Sequence, residues 1–158
     1  MTESPWLTTE QQRIWRDYLQ ATFQLSSFLE AGLRPYGLSL AEYEVLVGLS
    51  EAPGGRLRMS ELAAFAHLSR SRLTHTVTRM ERSGLVTRTA CTADGRGVVA
   101  AVTEEGLALI EQAARGHVAA VRTALVDAAD EADFAAFGRV MAAVIDATGR
   151  GQRARTES

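Results

Sequence analysis

The sequence predicts a mainly helical chain that carries one small β-hairpin, on three observations. Apolar residues recur every three and four positions through most of the chain, the period of a helix buried on one side. Ser and Thr caps and Gly/Pro breaks cut that periodicity into separate helices. Between Arg88 and Thr103, in RTACTADGRGVVAAVT, short apolar runs flank Asp94-Gly95, where glycine supplies the positive φ of a tight hairpin turn.

The elements follow in order. Thr8 and Gln11 form a capping box for a first helix, whose Ile14, Tyr18, Leu25 and Leu29 lie near one face and which should stop by Pro35-Tyr36-Gly37. Ser39 and Glu42 form a second box, opening a helix to about Ser50 with Tyr43, Leu46 and Val47 inward; EAPGGR breaks it. MSELAAFAHL is a short helix, and Ser69 caps the next, residues 70–82, which Ser83-Gly84 stops. Leu73, Val77 and Met80 make its buried stripe. The hairpin occupies 85–103. Thr103-Glu104-Glu105 starts a long helix with Leu107, Ile110, Ala114, Val118, Val121 and Leu125 as its stripe, and DAADEADF starts a last one carrying Phe134, Phe137, Met141 and Val144.

A chain of 158 residues is one domain by size and buries a substantial core. No apolar run approaches a membrane span, and the N-terminal stretch lacks the basic and apolar regions of a signal peptide, so no membrane partner and a cytoplasmic location are expected. One cysteine, Cys91, makes no internal disulfide and reads as a half-buried strand residue. The net charge of −2 hides an uneven distribution. Residues 56–96 hold eight arginines against Glu61, Glu81 and Asp94, while the rest carries 9 bases against 16 acids. A basic middle between acidic flanks suits a chain that offers one face to a polyanion.

Two short helices joined by a tight turn, the second rich in hydrogen-bond donors, are the signature of a helix-turn-helix. Arg70, Ser71, Arg72, Thr74, His75 and Arg79 populate the outer sides of helix 70–82, with no acid before Glu81. Arginine grips guanine O6 and N7 bidentately, Ser and Thr serve base or phosphate, and the Thr74 methyl matches a thymine methyl. A hairpin that follows such a helix is a wing, and Arg96 at its tip suits the negative potential of a narrow minor groove, with Asp94 orienting the guanidinium. Ser69, Arg70, Ser71, Arg72, Thr74, His75, Arg79, Asp94 and Arg96 are therefore the candidate contacts to double-stranded DNA. His67 reads as a packing residue of the turn. His117 has no companions at ligand spacing, so neither a metal nor another cofactor is expected.

MSELAAFAHLSRSRLTHTVTRMERSGLVTRTACTADGRGVVAAVTEEG, with helices before and after, resembles the MarR family of winged helix-turn-helix regulators over roughly residues 10–148. Its most specific part is DGR followed seven residues later by TEEG. The resemblance implies a winged lobe at 37–104, a homodimer formed by helices in 8–36 and 104–148, and a pseudo-palindromic operator bound by a regulator, usually a repressor. The tail 149–158 reads as disordered. The resemblance also implies a small phenolic or other aromatic effector; Trp15, Tyr18, Phe23 and Tyr43 are the candidate pocket residues. The sequence departs from the family where His75 replaces the commoner arginine and Arg58 a commoner Thr or Ser cap. The first helix has no cysteine, so a peroxide sensor is not expected.

Two other readings compete. A winged-helix protein–protein module without DNA binding should have lost the positive tip and the donor-rich helix, both present here. An enzyme using Cys91 with His67 or His75 lacks an oxyanion loop, a carboxylate pair or metal spacing.

Overall fold

The computed structural model describes residues 6–90 and 97–156, so the Asp94-Gly95 turn, Arg96 and Cys91 fall outside the described residues. The chain divides into two compact units, Met1–Ala120 and Val121–Ser158. The elements of the first are α1 (Thr9–Leu33), α2 (Leu40–Glu51), β1 (Arg56–Arg58), α3 (Met59–Phe65), α4 (Arg70–Arg82), β2 (Val86–Ala90), β3 (Val98–Val102) and α5 (Glu104–Val121).

Local chemistry sets the boundaries. Both expected capping boxes form: Thr8 Oγ1 accepts from Gln11 N while Gln11 Oε1 accepts from Thr8 N, and Ser39 and Glu42 repeat the exchange. Gly37 closes the α1 end at φ 70°, a left-handed conformation that costs glycine nothing. Ser69 Oγ accepts from Arg72 N at 3.2 Å and opens α4. Gly84, at φ 74°, ends the helix and turns the chain into β2.

The core of this unit collects side chains from all its helices. Leu33, Val45, Leu46, Leu49, Leu62, Leu73, Val77 and Met80 are essentially inaccessible, with Val86 and Ala100 sealing the sheet side. A buried Leu or Val of this kind stabilises by roughly 1.5–3 kcal/mol. α2 is buried on more than the face its period suggested, because Val45 and Leu49 are inside together with Tyr43 and Leu46. α1 is the opposite case: Leu33 is its one buried residue, and Ile14 (54% exposed) and Tyr18 (40% exposed) of the expected stripe face outward.

The sheet has three strands in the order β1-β3-β2, all antiparallel, where the sequence suggested only the two of the hairpin. β1 is three residues long, too short for a period to show, and pairs Leu57 with Ala100. The buried face of α5 also differs from expectation. Gly106, Ile110 and Ala113 face the core, whereas Leu107 and Val118 are 40% and 56% exposed. The tight approach of Gly106 to the Leu85 carbonyl fixes which side of α5 turns inward.

In the second unit α5 does not run on to Leu125 as a regular helix. Arg122–Val126 forms a π turn, closed by the Asp127 N–H donating to the Arg122 carbonyl at 2.8 Å. Asp130 Oδ1 accepts from Asp133 N at 2.8 Å and starts α6 (Glu131–Thr156). The helix thus passes through residues 149–156, read from sequence as disordered tail. Glycine costs about 1 kcal/mol against alanine in a helix, and the residues after Gly151 are mostly good helix formers, so the two glycines do not end it.

A Cβ at Gly106 would meet the Leu85 carbonyl oxygen and Val102 Cγ2, whereas one at Gly32 in α1 would meet nothing within 4 Å. Gly106→Ala should lower the unfolding free energy by about 1–3 kcal/mol. Gly32→Ala should leave it unchanged or raise it by up to about 1 kcal/mol. Urea unfolding of the two variants beside the parent checks both.

Candidate nucleic-acid interface

α4 is the centre of the candidate site. Leu73, Thr76, Val77 and Met80 are buried, and at 3.6 residues per turn that places Ser71, His75, Thr78 and Arg82 on the opposite side. Ser71, His75 and Arg82 are exposed and Thr78 is half-buried. Before α4, the helix-turn-helix turn passes through His67 at φ 51°, a left-handed conformation uncommon outside glycine. His67 is exposed there rather than packed, because the turn points its side chain outward.

A cavity of about 470 Å³ lies between α4 and the sheet, and Arg58, Ser60, Arg70, Thr74, Arg88 and Val98 are among its walls. On the other flank a groove of about 800 Å³ separates α4 from α1 and α2, with Glu30, Glu44, Ser71, Arg72, His75 and Arg79 among its walls. Of the residues expected to face DNA, Arg70 and Thr74 thus lie on the sheet side, and Ser69, Ser71, Arg72, His75 and Arg79 border the groove. Asp94 and Arg96 are outside the described residues.

Two ion pairs tie the far half of α4 to its neighbours. Glu42 Oε1 accepts from Arg79 Nε at 3.3 Å and lies 3.2 Å from Nη2, while its Oε2 stays on Ser39. Arg79 thereby links α4 to α2 while its side chain stays 59% exposed. Glu81 receives Arg88 of β2 at 2.6 Å, and that guanidinium holds the Glu81 carboxyl below the usual carboxylate range. Glu44 in the groove goes the other way: burial raises its pKa, partly opposed by the charges of His67 and Arg72. Ser60 and Arg88 were not singled out in the sequence, and Arg58 only as an unusual cap residue, since only the pairing of β1 and β2 with β3 brings them to the cavity that Arg70 lines.

The four residues expected around an effector are not gathered in one place. Trp15 and Tyr18 stack with ring centroids 5.7 Å apart on the outside of α1, and Phe23 is 74% exposed. Tyr43 is buried, its ring 4.2 Å from that of His117 on α5. Burial raises the Tyr43 pKa, with Glu51 adding to it. His117 Nδ1 is buried without a hydrogen-bond partner, and burial lowers the imidazole pKa. Among the described residues no cluster of three or more His, Cys, Asp or Glu could hold a metal ion. No helix among them is long and apolar enough to cross a membrane.

This arrangement of helix-turn-helix, hairpin and flanking helices is that of a winged-helix regulator. The chain belongs to the MarR family, whose model matches residues 36–97. Its fold superposes on Sco3205 of Streptomyces coelicolor, a MarR family transcriptional regulator solved in complex with DNA, with a TM-score of 0.88 and 40% identity over 93% of this chain and 92% of that one. CouR of Rhodococcus jostii, solved with p-coumaroyl-CoA, gives a TM-score of 0.68 and 26% identity over 79% of this chain and 86% of that one. An HTH-type transcriptional repressor of Mycobacterium tuberculosis is 35% identical over 85 residues, 54% of this chain; the match spans 60% of that repressor's length. The two relatives described by function are regulators rather than enzymes.

The His117 environment generates a pH prediction. The folded state favours neutral imidazole because burial strips water from the charged form. The unfolded chain therefore takes up a proton first, and stability present above the ordinary pKa of 6.5 is lost as the pH falls below it. Thermal unfolding followed from about pH 7.5 to about pH 5.5 should show this decline. His117→Phe, which keeps the ring against Tyr43, should flatten it.

Proposed function

We propose that the protein is a cytoplasmic, homodimeric repressor that binds a pseudo-palindromic operator, with α4 in the major groove and the hairpin tip at the adjacent minor groove. The observation that carries this reading is the outer side of α4. Ser71, His75, Thr78 and Arg82 project opposite a fully buried stripe, and no acid lies on α4 before Glu81. Arg70 and Thr74 extend this donor surface toward the sheet. A protein–protein module would have no use for so many donors on one exposed helix. The DNA-bound relative Sco3205 supports the same use of the fold.

The homodimer is supported by α1. Ile14, Trp15, Leu19, Phe23 and Phe28 are 48–74% exposed on a 25-residue helix whose one buried residue is Leu33. So many exposed large apolar side chains on a helix that buries almost nothing within its own chain mark an interface. A second copy is the occupant that also makes DNA recognition geometrically sensible, since two recognition helices about one turn apart read two half-sites. CouR's ligand, a phenolic thioester, supports an aromatic effector here. Trp15, Tyr18, Phe23 and Tyr43 remain the proposed contacts, brought together only if the second copy completes the site.

Binding to duplex selected from a randomised pool tests the reading. Arg70→Ala should weaken binding by about 1–3 kcal/mol, and Arg96→Ala should also reduce the salt slope by about one unit. Unchanged affinity in both variants would overturn it. Trp15→Glu with Phe23→Glu should convert a sedimenting dimer into monomer and abolish operator binding. Thermal-shift screening of phenolic acids and their thioesters should find a compound that raises the melting temperature and releases DNA.

A further inference from the structure

Glu81 is the first acid on α4, at the point where a DNA-binding helix should avoid negative charge, yet its carboxylate is fully engaged. Oε1 accepts from the backbone N–H of Arg88 at 3.1 Å. Oε2 accepts from Arg88 Nε at 3.0 Å and from Nη2 at 2.6 Å. The two residues are seven apart and straddle the turn at Gly84, so the contact ties the last turn of α4 to the middle of β2. Arg88 lies opposite Ala100 in the sheet and lines the cavity that Arg70 and Thr74 share. With Nε and Nη2 committed to Glu81, its Nη1 edge remains for a further acceptor at that cavity.

We propose that Glu81 is a positioning residue for DNA recognition: its clamp on Arg88 fixes the hairpin against the recognition helix and presents the Arg88 guanidinium to the backbone phosphate lying between the two grooves. This rests on the DNA-binding reading above and extends it. The turn is pinned where the hairpin starts, Leu85 N donating to the Met80 carbonyl at 2.9 Å, so β2 is held to α4 at its base. The clamp adds a second attachment at the middle of the strand, and attachments at base and middle fix a direction where one at the base does not. The phosphate seated in the cavity meets Arg70 from α4 and Arg88 from β2, so it senses whether helix and hairpin are in register. The side chains of Glu81 and Arg88 are 36% and 27% exposed, which leaves the pair open to a ligand without removing it from the fold.

The sign of one substitution separates this role from simple electrostatics. Taking a negative charge away from a DNA-facing surface should tighten binding. If Glu81 positions Arg88, Glu81→Gln should instead weaken specific binding about tenfold, the size of a coupled charge pair. The experiment measures full-length parent, Glu81→Gln, Arg88→Gln and the double variant on duplex selected by the parent from a randomised pool. The proposal expects Glu81→Gln to weaken binding in the parent and to have no weakening effect in the Arg88→Gln background. Hydroxyl-radical footprints of Glu81→Gln should lose protection where the hairpin lies, while guanine N7 protection under α4 persists. A merely structural loss would erase both footprints together and lower the melting temperature in step. Equal or tighter binding by Glu81→Gln, or parallel loss of both footprints, overturns the proposal while leaving DNA binding intact. Failure of the parent to select any duplex overturns the DNA reading and this inference with it.

Discussion

The arrangement of this protein depends on one cross-link of hydrogen bonds where α4 ends, the hairpin begins and α5 departs. Leu85 N donates to the Met80 carbonyl at 2.9 Å, and its own carbonyl accepts from Thr103 N at 3.1 Å. Thr103 Oγ1 donates to the Gly84 carbonyl at 2.7 Å and accepts from Gly106 N at 3.0 Å. Both legs of the hairpin are thereby fastened at their base to the helices on either side. Gly106 completes the cross-link by carrying no Cβ, which lets α5 lie directly on the Leu85 carbonyl. Backbone groups this close to a core must be paired, and here the pairing itself sets the directions of three elements.

Charge is organised around that cross-link. The far half of α4 is tied to α2 through Arg79 and Glu42 and to β2 through Glu81 and Arg88. The near half carries Arg70, Ser71, Arg72, Thr74 and His75 with no ion pair among the described residues. The helix divides its labour along its length: acids and arginines orient one half so that donors on the other half are held ready. An isolated exposed ion pair contributes little to stability, so the worth of these pairs lies in geometry.

The apolar surface obeys a different rule. α2, α3 and α4 bury their hydrophobic residues within Met1–Ala120, whereas α1 shows aromatic rings to solvent over several turns. α6, taken alone, exposes Phe137, Val140, Val144 and Ile145. On the proposed reading the second copy covers these faces, and any effector bound there acts on DNA affinity through the same contact.

Much of the fold was legible because caps and breaks act locally. Thr8, Ser39 and Ser69 mark helix starts through hydrogen bonds three residues long, and Gly37 and Gly84 mark ends through φ alone. The buried stripe of α4 followed from period, and so did the donors opposite it. What sequence could not reach were features made by contacts distant along the chain. β1 exists because β3 lies beside it, and the inner face of α5 is chosen by Leu85. The same holds for the site: residue type nominated Arg70, Ser71, His75 and Arg79, but only tertiary structure paired Arg79 with Glu42 and brought Arg58 and Arg88 to the cavity that Arg70 lines. The sequence by itself determined where helices begin, end and turn apolar, since those depend on neighbours within a turn. Which arginines reach the cavity beside α4 and which acids they pair with was decided by packing, because a side chain's partner is set by whatever distant segment arrives next to it.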